Sequence, residues 1–380
     1  MYAREIYGMI MAVAMLLMTS CSAEDVVKET TSREPIAISF SCNYDEEEEE
    51  NTTRSGYQGV MNIEDLHTTG FGVMASVSAT KLPDLMYNQE VEFTLVGDLT
   101  DPKKGYWSYQ PVKYWPNTIT DCYISAYAPY VELPIADAGS TTGIYGISAN
   151  NEEPYVDYRR CEKPNKQVDL LWYFEEPGSI PAAGKLNMKM HHALARLELK
   201  VALAAAPASG TKVLIENITL TGKMAKTGRL SLCSQTTAGS GVGTKYYPVW
   251  SGQVFDKNGS GEDIDHTIQI TNVDNDPASY GIIESQVRYI EGLPYSWQPD
   301  GLSTTPQNAL NTGDRKGYIY LIPQETLSLT VTVKYKKWVG GPLFGELTSG
   351  EKTTTVTPTT VANPLKGNTT YTLNLTLSDI

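Results

Sequence analysis

The sequence predicts an all-β protein built from antiparallel β-sandwiches. The clearest observation is a period-two alternation of apolar and polar residues, which is typical of strands buried on one face. Residues 327–335, LSLTVTVKY, alternate in this way, and so do residues 371–377, YTLNLTL. The composition agrees, because 24 Tyr, 31 Gly and 21 Pro favour strands and turns over helices. Many short strands separated by turns that contain Gly or Pro favour the sandwich class.

The N-terminus has the features of an export signal. Arg4 supplies a positive charge, and residues 6–18 form an apolar run that is too short for a comfortable membrane span. Small residues then precede Cys21, so that residues 18–21, MTSC, resemble the lipobox of bacterial lipoproteins. We therefore expect a lipoprotein signal peptide at residues 1–20 and a lipid on Cys21 that holds the chain on a membrane. The alternative is an ordinary signal peptide followed by a chance cysteine.

A tether, a first strand and an acidic loop follow. Residues 21–35 are polar and predict a structureless tether between lipid and domain. Residues 35–42, PIAISFSC, alternate strictly and predict a strand whose inward face carries Ile36, Ile38, Phe40 and Cys42. Residues 45–50 are six consecutive acidic side chains, which repel one another and predict a solvated loop. Arg54 lies in the same polar region.

A change in the alternation marks the predicted division into domains. Residues 191–206, HHALARLELKVALAAA, resemble a helix, but the alternation from Leu197 onward predicts a strand. The alternation of the surrounding stretch changes phase. Its large apolar residues occupy even positions up to Leu194 and odd positions from Leu197 onward. A strand cannot change its buried face without a bulge or a crossing to another sheet, so we expect an irregularity at Ala195–Arg196. We place the junction just after it, with an N-terminal sandwich at residues 36–203 and a C-terminal sandwich at residues 204–380.

Charge and cysteine content exclude several classes of protein. The net charge is −14 with no visible basic face, which argues against nucleic-acid binding and fits an extracytoplasmic body. The cysteines other than Cys21 are far apart and form no CxxC pair. We expect them to be buried free thiols rather than a disulfide scaffold, since the chain is long enough to bury a core. They are Cys42, Cys122, Cys161 and Cys233.

The chain carries no motif that predicts catalysis, a cofactor or a metal. His191 and His192 are adjacent on a predicted strand and so point to opposite faces, which favours structural roles. Residues 239–245, GSGVGTK, lack the spacing and the following helix of a phosphate loop. Residues 274–277, DNDP, predict a solvated turn rather than a calcium site. A catalytic pair of carboxylates stays open, but no feature of the sequence selects one.

Six stretches in order resemble the fimbrillin family, the lipoprotein subunits of type V pili. The resemblance covers residues 36–380, and the stretches are FGVMAS (71–76), YQPVKYWP (109–116), YISAYAP (123–129), VDLLW (168–172), MHHALARLELKV (190–201) and GNTTYTLNLTL (367–377). It implies two transthyretin-like β-sandwich domains, assembly at the outer membrane and cell surface, and no enzymatic activity.

The resemblance also implies assembly by strand exchange with other pilus subunits. In the family an arginine-specific protease removes the lipidated segment with the first strand, and a neighbour's strand fills the groove. Arg54 is the candidate processing residue, and the alternative is an ordinary loop arginine. The chain ends three residues after Leu377, which favours a tip or terminal subunit that accepts a strand without donating one.

The other class that we weigh is a non-polymerising surface lipoprotein that binds a glycan or a host or microbial receptor. Exposed indole rings would stack on sugars. The candidates are Trp107, Trp115, Trp250, Trp297 and Trp338.

Overall fold

A computed structural model describes residues 34–44, 61, 63–96, 104–117, 119–136, 142–161, 167–240, 244–271, 283, 286–312, 315–340, 345–356, 364–378 and 380. The residues from Ile36 to Ile380 form one compact unit. The described chain is almost entirely β-structure, which confirms the predicted class.

The chain runs through twenty-one described strands and one short α-helix. The helix, α1, spans Ile63–Thr69. The strands of the first half are β1 (Ser39–Tyr44), β2 (Phe71–Ser76), β3 (Met86–Leu95), β4 (Gly105–Ser108), β5 (Tyr123–Ala128), β6 (Ile144–Ile147), β7 (Tyr155–Arg159), β8 (Leu171–Glu175), β9 (Lys185–His192) and β10 (Ala195–Leu203). The strands of the second half are β11 (Thr211–Gly222), β12 (Thr227–Ala238), β13 (Lys245–Val254), β14 (His266–Thr271), β15 (Gln307–Asn308), β16 (Asn311–Thr312), β17 (Arg315–Lys316), β18 (Ile319–Leu321), β19 (Leu329–Gly340), β20 (Gly345–Val356) and β21 (Thr369–Leu377).

These strands form four main sheets within the described residues. The largest, sheet A, has the order β1-β9-β8-β5-β2-β3-β4. Sheet B has β10 at its centre, with β15 and β18 pairing antiparallel to it and β21 pairing parallel to it. Sheet C has the order β14-β11-β19-β20, and sheet D has the order β13-β12-β7-β6. Sheet D joins β6 and β7 from the first half to β12 and β13 from the second. The division into domains at residue 203 stays a prediction.

Three apolar clusters hold the sheets together. The first lies between sheets B and C, the second covers one face of sheet A, and the third lies among sheets A, B and D. The predicted alternation matches the first cluster, because Leu329, Val331 and Val333 are at most 1% exposed on one face of β19. The polar positions between them, such as Thr332, lie partly exposed on the other face.

The predicted irregularity exists, slightly earlier in the chain than we expected. β9 ends at His192 and β10 begins at Ala195, so the break falls at Ala193 and Leu194. Leu186, Met188 and Met190 of β9 pack in the second cluster, while Leu197 and Leu199 of β10 pack in the first. The change of phase is therefore a crossing from sheet A to sheet B.

The short helix and the cysteines had different outcomes against the sequence predictions. The short helix α1 was not predicted. The cysteines at 42, 122, 161 and 233 are free thiols, as expected, and Cys122 and Cys233 are buried while the other two are partly buried.

Asp256 joins elements that lie far apart in the sequence. Its Oδ1 lies 2.9 Å from Lys226 Nζ, and its Oδ2 lies 3.0 Å from His266 Nδ1 and 3.6 Å from Arg160 Nη2. The Arg160 side chain is only 2% exposed. The hydrogen bond from Lys226, with the charges of His266 and Arg160, lowers the pKa of Asp256 despite partial desolvation of its carboxylate.

Val331→Asp should unfold the sandwich formed by sheets B and C. The substitution buries an unpaired charge in the first cluster and should lower the free energy of unfolding by about 4 kcal/mol or more. Thr332→Asp, one residue away on the partly exposed face, should cost less than about 1 kcal/mol. Thermal and denaturant melts of both variants test this, and equal destabilisation would contradict the alternation.

Asp256→Asn should destabilise the protein by about 1–2 kcal/mol at pH 7, because it removes the anion beside a buried arginine. The lowered pKa of Asp256 means that its stabilisation is fully present above the unfolded value of about 3.9 and is lost as pH falls below it. The difference in Tm between wild type and variant should therefore shrink below about pH 4. A Tm difference that is constant from pH 7 to pH 3 would contradict the role of the ionised carboxylate.

Candidate functional site

The candidate site is the groove that holds β1 at the edge of sheet A. β1 pairs with β9 in a parallel register that runs from Ser39 opposite Lys185 to Tyr44 opposite Met190. Just before β1, the chain pairs on its other side with residues 113–115. There Ile38 N–H donates to Lys113 O at 2.9 Å, and Trp115 N–H donates to Ile36 O at 2.9 Å. The backbone of this segment is therefore hydrogen-bonded to two separate stretches of chain.

The side chains of β1 and of the residues just before it fill the floor of the groove. Ile38 and Phe40 are 2% and 4% exposed, and Ile36 and Cys42 are partly buried against the same cluster. This confirms the inward face predicted for PIAISFSC. The Phe40 ring contacts Phe71 edge-on, with 6.1 Å between centroids, and lies 5.4 Å from the ring of Tyr109.

Two polar side chains fix the walls of the groove. Tyr109 donates its hydroxyl hydrogen to Ile38 O at 2.9 Å. Trp115 donates its indole N–H to Gly184 O at 2.9 Å, next to the start of β9. Gly184 has φ +71°, and a Cβ there would lie 2.3 Å from Ala37 O, so only glycine fits this close approach. The groove is built around the backbone of the first strand.

Loss of β1 would be costly for the chain. Burial of one large apolar side chain contributes about 1.5–3 kcal/mol, and β1 and the residue before it bury two such side chains. Each backbone group left unpaired in the buried ladder costs about 1–3 kcal/mol more. An empty groove is therefore a strong template for another extended segment with the same alternation.

The covalent link between β1 and the rest of the unit passes through residues 45–60, which lie outside the described residues. Arg54 is among them, and Cys21 and residues 22–33 of the tether also lie outside, so their predicted roles stay predictions. The chain is described again at Met61, which is buried. Met61 N–H donates to Asp169 Oδ2 at 3.2 Å, and the same oxygen lies 2.6 Å from His192 Nδ1. This buried pair fixes the far end of the connection.

The last strand repeats the arrangement of the first on the neighbouring sheet. β21 pairs parallel to β10 along its whole length, from Thr369 opposite Ala195 to Leu377 opposite Leu203. Its inward residues are 1–4% exposed in the first cluster, and they are Tyr371, Leu373, Leu375 and Leu377. Asn368, with φ +51°, turns the chain into this strand and donates its N–H to Leu194 O at 3.2 Å. β21 is thus bound to its own chain.

The other candidate residues take structural positions. His192 pairs with Asp169, while the His191 ring lies near Trp172 and Tyr246, with centroids 5.8 and 5.2 Å apart. Among the described residues, no three or more His, Cys, Asp or Glu side chains are grouped to hold a metal ion. In the same residues no helix is long and apolar enough to cross a membrane.

The five candidate tryptophans differ in exposure. Trp115 is buried at 5% and Trp297 is 72% exposed, while Trp107, Trp250 and Trp338 are partly buried. Sequence reasoning did not single out Asp169, Tyr109 or Met61. The one available signal was Asp169 itself, a carboxylate inside the apolar run VDLLW, which indicates a buried partner.

One solved structure supports the fold. The chain is similar to a fimbrial protein from Bacteroides vulgatus, with 14% identity, a TM-score of 0.57, and 90% of this chain and 95% of that chain covered. It is also similar to a candidate cell adhesion protein from Bacteroides uniformis, with 13% identity, a TM-score of 0.41, and coverage of 91% and 94%. A third, from Bacteroides ovatus and of the same description, has 15% identity, a TM-score of 0.40, and coverage of 91% and 92%. No curated protein sequence matches the chain.

The family comparison covers most of the chain. Residues 61–380 match the family described as fimbrillin-like. The matched region begins at Met61, directly after the segment that links β1 to the rest of the unit. Members of this family are structural proteins of pili and of cell adhesion at the cell surface, and they are not enzymes. The chain belongs to the fimbrillin-like family.

Proposed function

We propose that this fimbrillin-like protein is a lipid-anchored pilus subunit of the outer membrane that accepts a neighbour's strand in place of β1. The observation that carries the proposal is the position of β1: it lies at the end of sheet A, pairs with β9, and buries Ile38 and Phe40. Cleavage after Arg54 cuts the one covalent link between β1 and residues 61–380. A strand from another subunit then restores the buried contacts and the backbone hydrogen bonds.

The groove left by β1 also specifies the incoming strand. It pairs with β9 and carries apolar side chains at the positions of Ile38 and Phe40, with small or polar residues between them. Phe40 marks one specificity pocket, since its ring packs against both Phe71 and Tyr109. The partners of this protein are thus other pilus subunits that carry a donor segment with alternating apolar and polar residues.

In this proposal β21 stays with its own subunit and is not a donor strand. All nine residues of β21 pair with β10, and its apolar face is buried in the first cluster. Donation of β21 would open this cluster, so the subunit accepts a strand without giving up its own last strand. We also propose that sheets A to D belong to two transthyretin-like domains. We place the subunit at the tip or another terminal position of the pilus, which leaves a surface free for a host or microbial receptor.

Cys21→Ala should leave the protein unlipidated and move it out of the membrane fraction. The acyl chains contribute about 0.8 kcal/mol per buried methylene, so their loss removes the anchor. Metabolic labelling with a palmitate analogue and fractionation test this. Cys42→Ala, which changes a thiol within β1, is the matched control and should label normally. Normal labelling of Cys21→Ala would contradict the lipoprotein assignment.

Arg54→Ala should give a folded, anchored monomer that never enters a polymer. The uncut chain keeps β1 in the groove, so a donor strand has no place to bind. The test is treatment with an arginine-specific protease, then incubation with partner subunits, with denaturant-resistant ladders and the mass of the mature chain as readouts.

Arg33→Ala is the matched control, since a cut after Arg33 removes the tether and leaves β1 in place. This variant should polymerise like wild type. Equal incorporation of Arg54→Ala and wild type would overturn the cleavage step.

Phe40→Ala should weaken the retention of β1 after the cut by about 3 kcal/mol and speed the exchange.

A further inference from the structure

A cavity of about 440 Å³ lies on sheet D, far along the chain from the β1 groove. Its lining comes from Thr236 of β12 and from three longer stretches of sequence: β13 with the residues just after it, residues 323–326, and residues 364–367, which precede β21. Its volume falls in the range of small-molecule sites, about 300–1,000 Å³. The strand-exchange function makes no use of it.

Aromatic rings form one wall of this cavity. Trp250, Tyr247 and Phe255 all line it, and all three are partly exposed. The indole N–H of Trp250 donates to Ala193 O at 3.0 Å, and its ring meets Tyr158 edge-on at 6.3 Å between centroids. These contacts hold the Trp250 ring in one orientation before any ligand arrives, and so it is a preorganised stacking platform.

Side-chain amides join the segments that line the cavity. Gln253, which also lines the cavity, donates its Nε2 hydrogen to Pro323 O at 3.0 Å. Gln324 is buried and accepts a hydrogen bond from Ala225 N–H at 2.9 Å, while its backbone pairs with Leu365. The three stretches are therefore bound to one another directly, and the cavity is a formed feature of the fold.

The charges at the cavity balance. Glu325 and Lys366 both line it, and both are exposed. Lys366 Nζ lies 5.0 Å from the centroid of the Tyr247 ring, a cation–π arrangement that holds the lysine over the aromatic wall. One carboxylate and one ammonium give no preference for a strongly charged ligand. The chemistry favours a neutral, hydroxyl-rich molecule with an apolar face.

We infer that this cavity, the Trp250 site, binds a neutral saccharide of one or two rings. The apolar C–H face of a pyranose ring stacks on the fixed indole, and its hydroxyl groups hydrogen-bond to the exposed charged groups of Glu325 and Lys366. The competing ligand class is an extended peptide, which binds along sheet edges or long grooves rather than in a cavity of this volume. The inference is independent of strand exchange.

The test uses the chain from residue 21 onward, purified without β1 removal, on an array of neutral and acidic oligosaccharides. Lactose, maltose, cellobiose and chitobiose then serve as soluble probes, with calorimetry for affinity and saturation-transfer NMR for the contacting protons. We expect binding of at least one neutral probe, with the strongest transfer to the C–H protons of one ring face.

Trp250→Ala and Tyr247→Ala should each weaken this binding by about tenfold, while Trp297→Ala, which removes a far more exposed indole elsewhere, should leave it unchanged. Tyr247→Ala keeps the inference testable if Trp250→Ala fails to fold, and thermal melts identify that case. Failure of every glycan to bind, binding that survives both cavity variants, or a preference for acidic glycans that Lys366→Ala abolishes would each overturn the inference. Selective binding of proline-rich peptides would overturn it as well.

Discussion

The path of the chain through β9 and β10 is the constraint on which the rest of the structure depends. At Ala193 and Leu194 the chain leaves one sheet and enters another, and its buried side chains change from even to odd positions. The first and the last strand of the chain each pair with one of these two strands. β1 adds in parallel to β9, and β21 adds in parallel to β10. Because a one-residue shift would turn every inward residue outward, the crossing sets the register of both end strands.

The sequence predicted the local part of this arrangement well. Alternation alone identified β1, β10, β19 and β21 and their buried faces, because a period of two is written in consecutive residues. The change of phase also located the crossing to within two residues. The parallel pairing of β1 and the joining of β7 to β12 were not predictable, because one sequence carries no record of which strands become neighbours. The helix at residues 63–69 is too short for a periodic signal.

The candidate sites divide in the same way. The strand that fills the groove was predicted from PIAISFSC, but Tyr109 and Trp115, which shape its walls, come from a segment with no obvious pattern. Trp250 was one of five candidate tryptophans in the sequence, but the cavity that it lines could not be predicted. Its lining comes from separate stretches between residues 236 and 367. Cavities made by distant segments are properties of the tertiary structure, so single-sequence reasoning names their residues only by chance.

The parallel pairing of β1 has a consequence for the order of folding. Ser41 bonds to Asn187, 146 residues further along the chain. A chain that emerges from its N-terminus makes β1 first, yet the strand that receives it is made much later. Contacts at such separation form slowly, because a long loop must close before they contribute. We expect β1 to remain an apolar segment without its partner during synthesis and to dock late, onto strands that are already assembled. Its release would then reverse a late folding step and leave the earlier core intact.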